Sequence, residues 1–287
     1  MPHSQQSQSG GESAIMDVLI VGAGLSGIGA ARHLQMHCPQ THWCILEARE
    51  AIGGTWDLFK YPGIRSDSDM YTLGYAFKPW VDHKSIADGK TIRQYIQDTA
   101  DENGITQHIK HGHAVTQASW STTDACWTVT AKKSQASEPV IFKTRFLYFC
   151  CGYYSYKNGH QPDFPGHASF QGKWVHPQFW PDHLNYADQK VVVIGSGATA
   201  VTLVPEMAKT ATHVTMLQRS PTYVIARPGE DKFSLRLQKY LPMKWAYQIT
   251  RTKNVLMGMF FFRMAKRKPE RVKALMVNGV RHALGAD

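Results

Sequence analysis

Apolar residues in this chain come in short blocks separated by glycine-rich punctuation. Asp17–Val21 is a brief aliphatic run with β-branched members, and Gly22–Gly27 follows it directly. The spacing then predicts a helix over about Leu25–Met36 and a second strand over His42–Glu47. The same order returns at Lys190, with strand Lys190–Ile194, turn Gly195–Gly197, helix Ala198–Lys209 and strand His213–Leu217. Between the two units, Ile52–Asp69 is rich in Gly, Pro and Asp and reads as an irregular loop. Thr91–Asn103 reads as a helix. Val115–Ser121 and Cys126–Ala131 read as antiparallel strands about a turn at Thr122–Asp124. Arg145–Cys151 reads as a buried strand, and a loop rich in Gly, Pro, His and aromatics extends to about Gln189. From about Asp231 the pattern predicts basic helices interrupted at Pro242 and Pro269. Strands alternating with helices imply an α/β fold.

Composition narrows the class. With 287 residues, 43% hydrophobic and 19% charged, the chain suits one large domain or two smaller ones. It is neither collagen-like nor globally disordered. Five cysteines (Cys38, Cys44, Cys126, Cys150 and Cys151) are an odd number without CxxC spacing, which argues against a disulfide framework and a zinc site. Residues 1–14 are rich in Ser, Gln and Gly, lack a signal-peptide layout, and are read as a disordered tail. No apolar run reaches the length of a membrane span, so the chain is expected in the cytoplasm.

The net charge of +10 is uneven. From Lys232 onward there are 13 Lys or Arg against two acids, Glu270 and Asp287. That segment has no nucleic-acid motif. A basic amphipathic surface facing a membrane periphery or a further domain is the expectation.

The chemistry lies in the two glycine turns. Gly22, Gly24 and Gly27 form GxGxxG, with Ser26 inside the turn, directly after a strand and opening a helix. The first glycine permits the tight turn, the second lets backbone approach a pyrophosphate, and the third lets helix and strand pack closely. The helix start offers N–H groups and positive dipole to phosphate. Glu47 closes the next strand at the distance suited to a ribose diol. An acid there fits FAD or NAD and repels a 2′-phosphate. In the second unit, Gly195, Ser196, Gly197, Ala198, Thr199, Ala200 and Val201 form GxGxxA and its helix start. Its following strand ends in Gln218-Arg219-Ser220. The Arg219 guanidinium can pair with a 2′-phosphate, which favours NADPH.

Longer motifs make the assignment specific. Gly53-Gly54-Thr55-Trp56, with Asp57 and Leu58 after it, resembles the second flavin motif of two-dinucleotide flavoproteins. Tyr61-Pro62-Gly63-Ile64-Arg65-Ser66-Asp67 continues it. Phe170-Gln171-Gly172-Lys173-Trp174-Val175-His176-Pro177-Gln178-Phe179-Trp180-Pro181 fills every specified position of FxGxxxHxxxWP. In this the chain resembles the type I Baeyer–Villiger monooxygenases, closest to their bacterial ethionamide-activating branch.

The resemblance implies an FAD domain with an inserted NADP domain. Residues 15–155 would form the FAD-binding domain, 156–189 the linker, 190–230 the start of the NADP-binding domain, and 231–287 a basic helical segment. It implies that backbone at Val115 holds adenine, that Asp67 sits near flavin and nicotinamide, and that His176 organises the hinge. The implied reaction consumes NADPH and O2 and passes through a C4a-peroxyflavin. It inserts one oxygen atom into a ketone to give an ester or lactone. An S- or N-oxygenating monooxygenase acting on a thioether or amine is the alternative, as is a nucleotide-binding fragment without activity. The family's catalytic arginine and the returning strands of its FAD domain find no match before Asp287. A C-terminally truncated chain is therefore expected, and neither Arg251 nor Arg263 takes the catalytic role by motif.

Overall fold

A computed structural model describes residues 15–134, 136–220, 222–225 and 227–285. The tail read over residues 1–14 lies outside the described residues. In chain order the elements are β1 (Met16–Val21), α1 (Leu25–His37), β2 (Trp43–Leu46), α2 (Thr55–Leu58), α3 (Met70–Leu73), α4 (Gly89–Glu102), β3 (Ile109–Lys110), β4 (His113–Ser121), β5 (Cys126–Lys133), β6 (Val140–Phe149), β7 (Lys190–Ile194), α5 (Ala198–Met207), β8 (His213–Leu217), α6 (Lys232–Tyr240), α7 (Met243–Arg267) and α8 (Pro269–Leu284). They fall into two compact units. One takes the described residues up to Asp57 together with Arg93–Tyr154, and the other takes Leu58–Ile92 and the described residues from Ser155 onward.

The first unit is a six-stranded sheet in the order β3-β2-β1-β6-β5-β4. β3, β2, β1 and β6 run parallel, and β5 and β4 add an antiparallel flank. Leu19 and Ile20 of β1 and Ile45 and Leu46 of β2 are fully buried. Consecutive residues of a strand point to opposite faces, so both faces of this sheet are covered here. That is why Val18–Val21 of β1 and Cys44–Leu46 of β2 read as unbroken apolar runs. Each such aliphatic side chain contributes about 1.5–3 kcal/mol by leaving water. The small residues Gly27, Gly29 and Ala31, with the larger Ile28, form the buried stripe of α1.

β6 corrects the expected strand Arg145–Cys151. It begins at Val140 and ends at Phe149. Its first half pairs with β5 and its second half with β1. Phe142 and Thr144 point inward while Lys143 and Arg145 point to solvent, a period-2 pattern in which charges do not end the strand. The loop expected over Ile52–Asp69 also contains a helical turn, α2, opened by Gly53 and Gly54, whose carbonyls accept from the Trp56 and Asp57 amides. The register of β4 shifts between Val115 and Gln117, leaving Thr116 as an extra residue.

In the second unit, β7 and β8 pair in parallel and α5 connects them. Tyr61, Leu203 and Met207 form a core with Phe59, Ile64, Trp180, Tyr186, Val191, Val193 and Val214 around it. Gly63 sits at φ +81°, and a Cβ there would lie 2.5 Å from the Thr202 carbonyl oxygen, so the loop reaches α5 because this residue is glycine. Asp88 caps α4 through the Thr91 amide at 2.9 Å, which starts that helix two residues before the expected Thr91. Asp231 caps α6 through the Ser234 amide, and Lys253 of α7 pairs with it at 2.8 Å. The basic helices break where the prolines predict, at Pro242 and Pro269. Among the described residues no helix is long and apolar enough to cross a membrane.

Candidate dinucleotide sites

The two glycine turns are built alike. Gly22 has φ +104° and Gly195 φ +127°, a region that favours glycine. Each donates its amide to the end of the next strand, Gly22 to the Leu46 carbonyl and Gly195 to the Leu217 carbonyl, both at 2.8 Å. Gly24 (φ −81°, ψ −169°) and Gly197 (φ −78°, ψ −174°) cap their helices in matching extended conformations. Neither helix has a side-chain cap. Their first-turn amides have no acceptor within the helix, the arrangement that suits an anion. Ser196 and Thr222 share a hydroxyl hydrogen bond of 2.9 Å beside the second turn.

The third positions differ. A Cβ on Gly27 would lie 1.9 Å from the Gly22 carbonyl oxygen. Ala200, its counterpart, carries its methyl with 5% exposure. The turns also diverge at the residue after the second strand. Glu47, 4% exposed, accepts the Ala23 amide at 2.7 Å through Oε2 and the Arg49 amide at 3.0 Å through Oε1. The carboxylate therefore braces the first turn from beneath. Each oxygen keeps further lone-pair capacity. After β8 the matching positions are Gln218 and the exposed Arg219, so one turn is closed by an anion and the other by a cation.

Around the first turn the structure gathers the second glycine motif. The Gly53 amide donates to the Ala23 carbonyl at 3.0 Å, and the Cβ direction of Gly24 faces Gly54 at 3.6 Å. Of α2, Asp57 receives Arg49 Nη2 at 2.6 Å and sits 2.6 Å from Arg93 Nε. The Arg93 contact is an ion pair. Arg49 and Arg93 carry no motif signal in the sequence. Their role follows from Asp57 being mostly buried and in need of compensation. Val115 is half-buried on β4 at the register shift and packs on the core of this unit. Cys150 follows β6 and donates its amide to Val21. Burial, with Cys151 beside it, pushes its thiol up to about 11, so the group is neutral at ordinary pH.

Arg65, Ser66 and Asp67 belong to the second unit. Arg65 bridges Asp88 through backbone, and the buried Ser66 donates its amide to the Ala87 carbonyl at 2.9 Å. Asp67 is exposed. His176 caps a short 3-10 turn, Pro177–Phe179, by accepting the Gln178 amide at 3.2 Å through Nδ1. A Cβ on Gly159 would overlap the His176 ring, so that glycine lets the imidazole lie flat on the backbone. Gln178, 7% exposed, donates to the Ser155 carbonyl at 2.6 Å. Trp180 is an edge-on neighbour of Tyr186 in the core around Leu203. Arg251 is committed elsewhere, since its Nη1 donates to the carbonyls of Tyr71, Thr72 and Gly74.

Two β-turn-α-β units of the dinucleotide-binding kind, one closed by an acid and one by an arginine, define the class as a two-dinucleotide flavoprotein fold. Known proteins agree. Residues 16–241 match the family model described as flavin-binding monooxygenase-like. The chain is 50% identical over 273 residues to MymA of Mycobacterium tuberculosis, covering 94% of this chain and 55% of that protein. It is 48% identical over 270 residues to the FAD-containing monooxygenase EthA of the same organism, again covering 94% and 55%. Among solved structures, OTEMO in complex with FAD and NADP has a TM-score of 0.68 at 28% identity, covering 83% of this chain and 44% of that one. The chain belongs to the flavin-binding monooxygenase-like family. It spans about half the length of the curated relatives it matches.

Proposed function

We propose that this chain carries the nucleotide-binding part of an FAD-dependent, NADPH-consuming monooxygenase that inserts one oxygen atom into a ketone. The observation that carries the reading is the pair of matched turns closed by opposite charges, Glu47 and Arg219. Similarity to EthA, named as FAD-containing, and to a structure holding FAD and NADP supports the cofactor pair. The FxGxxxHxxxWP segment, Phe170–Pro181, supports ketone as the substrate class.

The first turn fits FAD: the Gly22–Gly27 amides would face its pyrophosphate, Glu47 its ribose, and Gly54, Thr55, Trp56 and Val115 the rest. The second turn fits NADPH, with Gly195–Val201 at the pyrophosphate and Gln218 and Arg219 at the 2′-phosphate. A Cβ at Gly195 or Gly197 would meet nothing within 4 Å, so this cradle is open. When bound, FAD supplies hydride acceptance and activation of dioxygen. The chain's own residues bind and orient. Asp67 orients a cationic partner and tunes proton movement at the site. His176 holds the linker between the two nucleotide regions in one conformation. In domain terms, 15–155 serves FAD and 190–230 opens the NADP region.

The test is direct. The purified chain, supplied with FAD, is expected to be yellow and to consume NADPH with a cyclic ketone, giving a lactone. A colourless chain that consumes no NADPH would falsify the reading for this chain. Oxygen transfer to a thioether with no lactone would move it to the S-oxygenating class. Arg219→Ala is expected to weaken NADPH by about 10–100-fold through loss of a charge-assisted pair, while leaving NADH unchanged. Equal losses for both coenzymes would remove the 2′-phosphate role.

A further inference from the structure

We propose that α7 is the strut that positions the segment carrying Asp67, acting through Arg251, Tyr247 and Asn254. The inference rests on the reading of Asp67 given above. All the residues involved lie in the second unit.

The segment 66–75 has one helical turn of regular structure. α3 is a single turn, Met70–Leu73, far too short to be stable by itself. Its N-terminus is capped by Asp69, which accepts the Thr72 amide at 3.1 Å. That cap is in turn fixed by Asn254, whose Nδ2 donates to Asp69 Oδ1 at 2.9 Å. At the other end, Arg251 Nη1 reaches the carbonyls of Tyr71 at 2.6 Å, Thr72 at 3.2 Å and Gly74 at 2.9 Å. The fully buried Tyr247 hydroxyl lies 3.2 Å from the Tyr71 carbonyl and 3.0 Å from that of Tyr75. A cation at a helix C-terminus and an acid at its N-terminus also suit the helix dipole. One long helix therefore secures both ends of a one-turn helix, from a distance of some 180 residues along the chain.

Asp67 lies between two pinned points. Ser66 is tied to the Ala87 carbonyl on one side, and Met70 donates to the Ser85 carbonyl at 2.7 Å on the other. The exposed Asp67 side chain is thus carried on backbone pinned at Ser66 and Met70, and α7 acts on it through Asn254 at Asp69 and through the Arg251 clamp on the turn that Met70 opens. Arg251, Tyr247 and Asn254 act through that backbone, as positioning residues.

Amide hydrogen exchange on the full chain tests this without turnover. Arg251→Met is expected to speed exchange at Thr72, Leu73 and Gly74 by about tenfold or more, with β1 and β2 unchanged. Arg251→Lys should restore part of the protection, and Asp67→Asn should leave exchange as it was. Asn254→Ala, a milder change at the other end, is expected to give a smaller effect in the same segment. In the FAD-loaded chain, Arg251→Met and Asp67→Asn should alter the same limb of the pH profile of NADPH-driven flavin reduction. Unchanged exchange over 66–75 in both Arg251→Met and Asn254→Ala overturns the strut. Faster exchange with a wild-type pH profile, where Asp67→Asn does change the profile, overturns it as a positioning device. If Asp67→Asn itself leaves the profile unchanged, the reading of Asp67 fails, and exchange alone decides whether α7 holds the segment.

Discussion

Gly27→Ala is expected to lower the melting temperature of the chain by about 6–12 °C and to abolish retention of FAD. The added Cβ would lie 1.9 Å from the Gly22 carbonyl oxygen and 3.1 Å from its carbonyl carbon. The obstacle is backbone, so no side chain can swing away. Either α1 moves off β1 or the Gly22 turn opens. Moving α1 disturbs Ile28 and Ala31, both fully buried, and a forced overpacking of this kind costs about 3 kcal/mol or more. For a chain of this size that corresponds to the stated shift. Opening the turn breaks the Gly22–Leu46 bond and moves the amides proposed to face pyrophosphate. A melt within about 2 °C of the parent, with flavin retained, would show that the turn tolerates a methyl as its counterpart does at Ala200. Thermal denaturation and the flavin-to-protein absorbance ratio read both effects.

Glu47→Gln is expected to cost about 1–3 kcal/mol in the absence of any cofactor, and to reduce FAD affinity further. The carboxylate is buried and accepts two backbone amides, one from the first turn and one from Arg49. A glutamine side chain has one acceptor oxygen, so one of those amides would face an NH2 donor. The replacement is nearly isosteric, which separates hydrogen bonding from packing. Melting the cofactor-free protein measures the bracing of the turn. FAD titration measures what the ribose contact adds. If the cofactor-free melt is unchanged, the two amide bonds contribute nothing net, and Glu47 would matter for ligand alone.

Much of this was legible in the chain itself. The two strand-turn-helix-strand units stand where the glycines and apolar runs predict, because local chemistry fixes them: a positive-φ first glycine, a second glycine in the capping position, β-branched strands. Breaks at Pro242 and Pro269 were legible for the same reason. The start of β6 is missed because Lys143 and Thr144 separate Val140–Phe142 from the later apolar run, although Lys143 simply occupies the solvent side of the pleat. β3 is two residues long and owes its existence to pairing with β2, so no local signal marks it. Glu47 was legible as an acid at a strand end, but its grip on Ala23 depends on how the turn folds back over it. The clamp of Arg251 on the Tyr71–Gly74 carbonyls joins residues far apart in sequence, where motif and periodicity are silent.

The main chain passes between the two units at three places, after Asp57, after Ile92 and after Tyr154. Neither unit is a contiguous stretch of gene. A protein expressed from the start to Tyr154 would carry Leu58–Ile92 without the α5 and α7 surfaces on which that stretch folds, leaving Met70 and Tyr71 in water. One expressed from Ser155 onward would lack Tyr61 and Gly63 and leave Leu203 and Met207 uncovered. Dissection of this chain into separately soluble halves therefore calls for two new junctions, Asp57 to Arg93 in one half and Ile92 to Ser155 in the other, rather than a single cut.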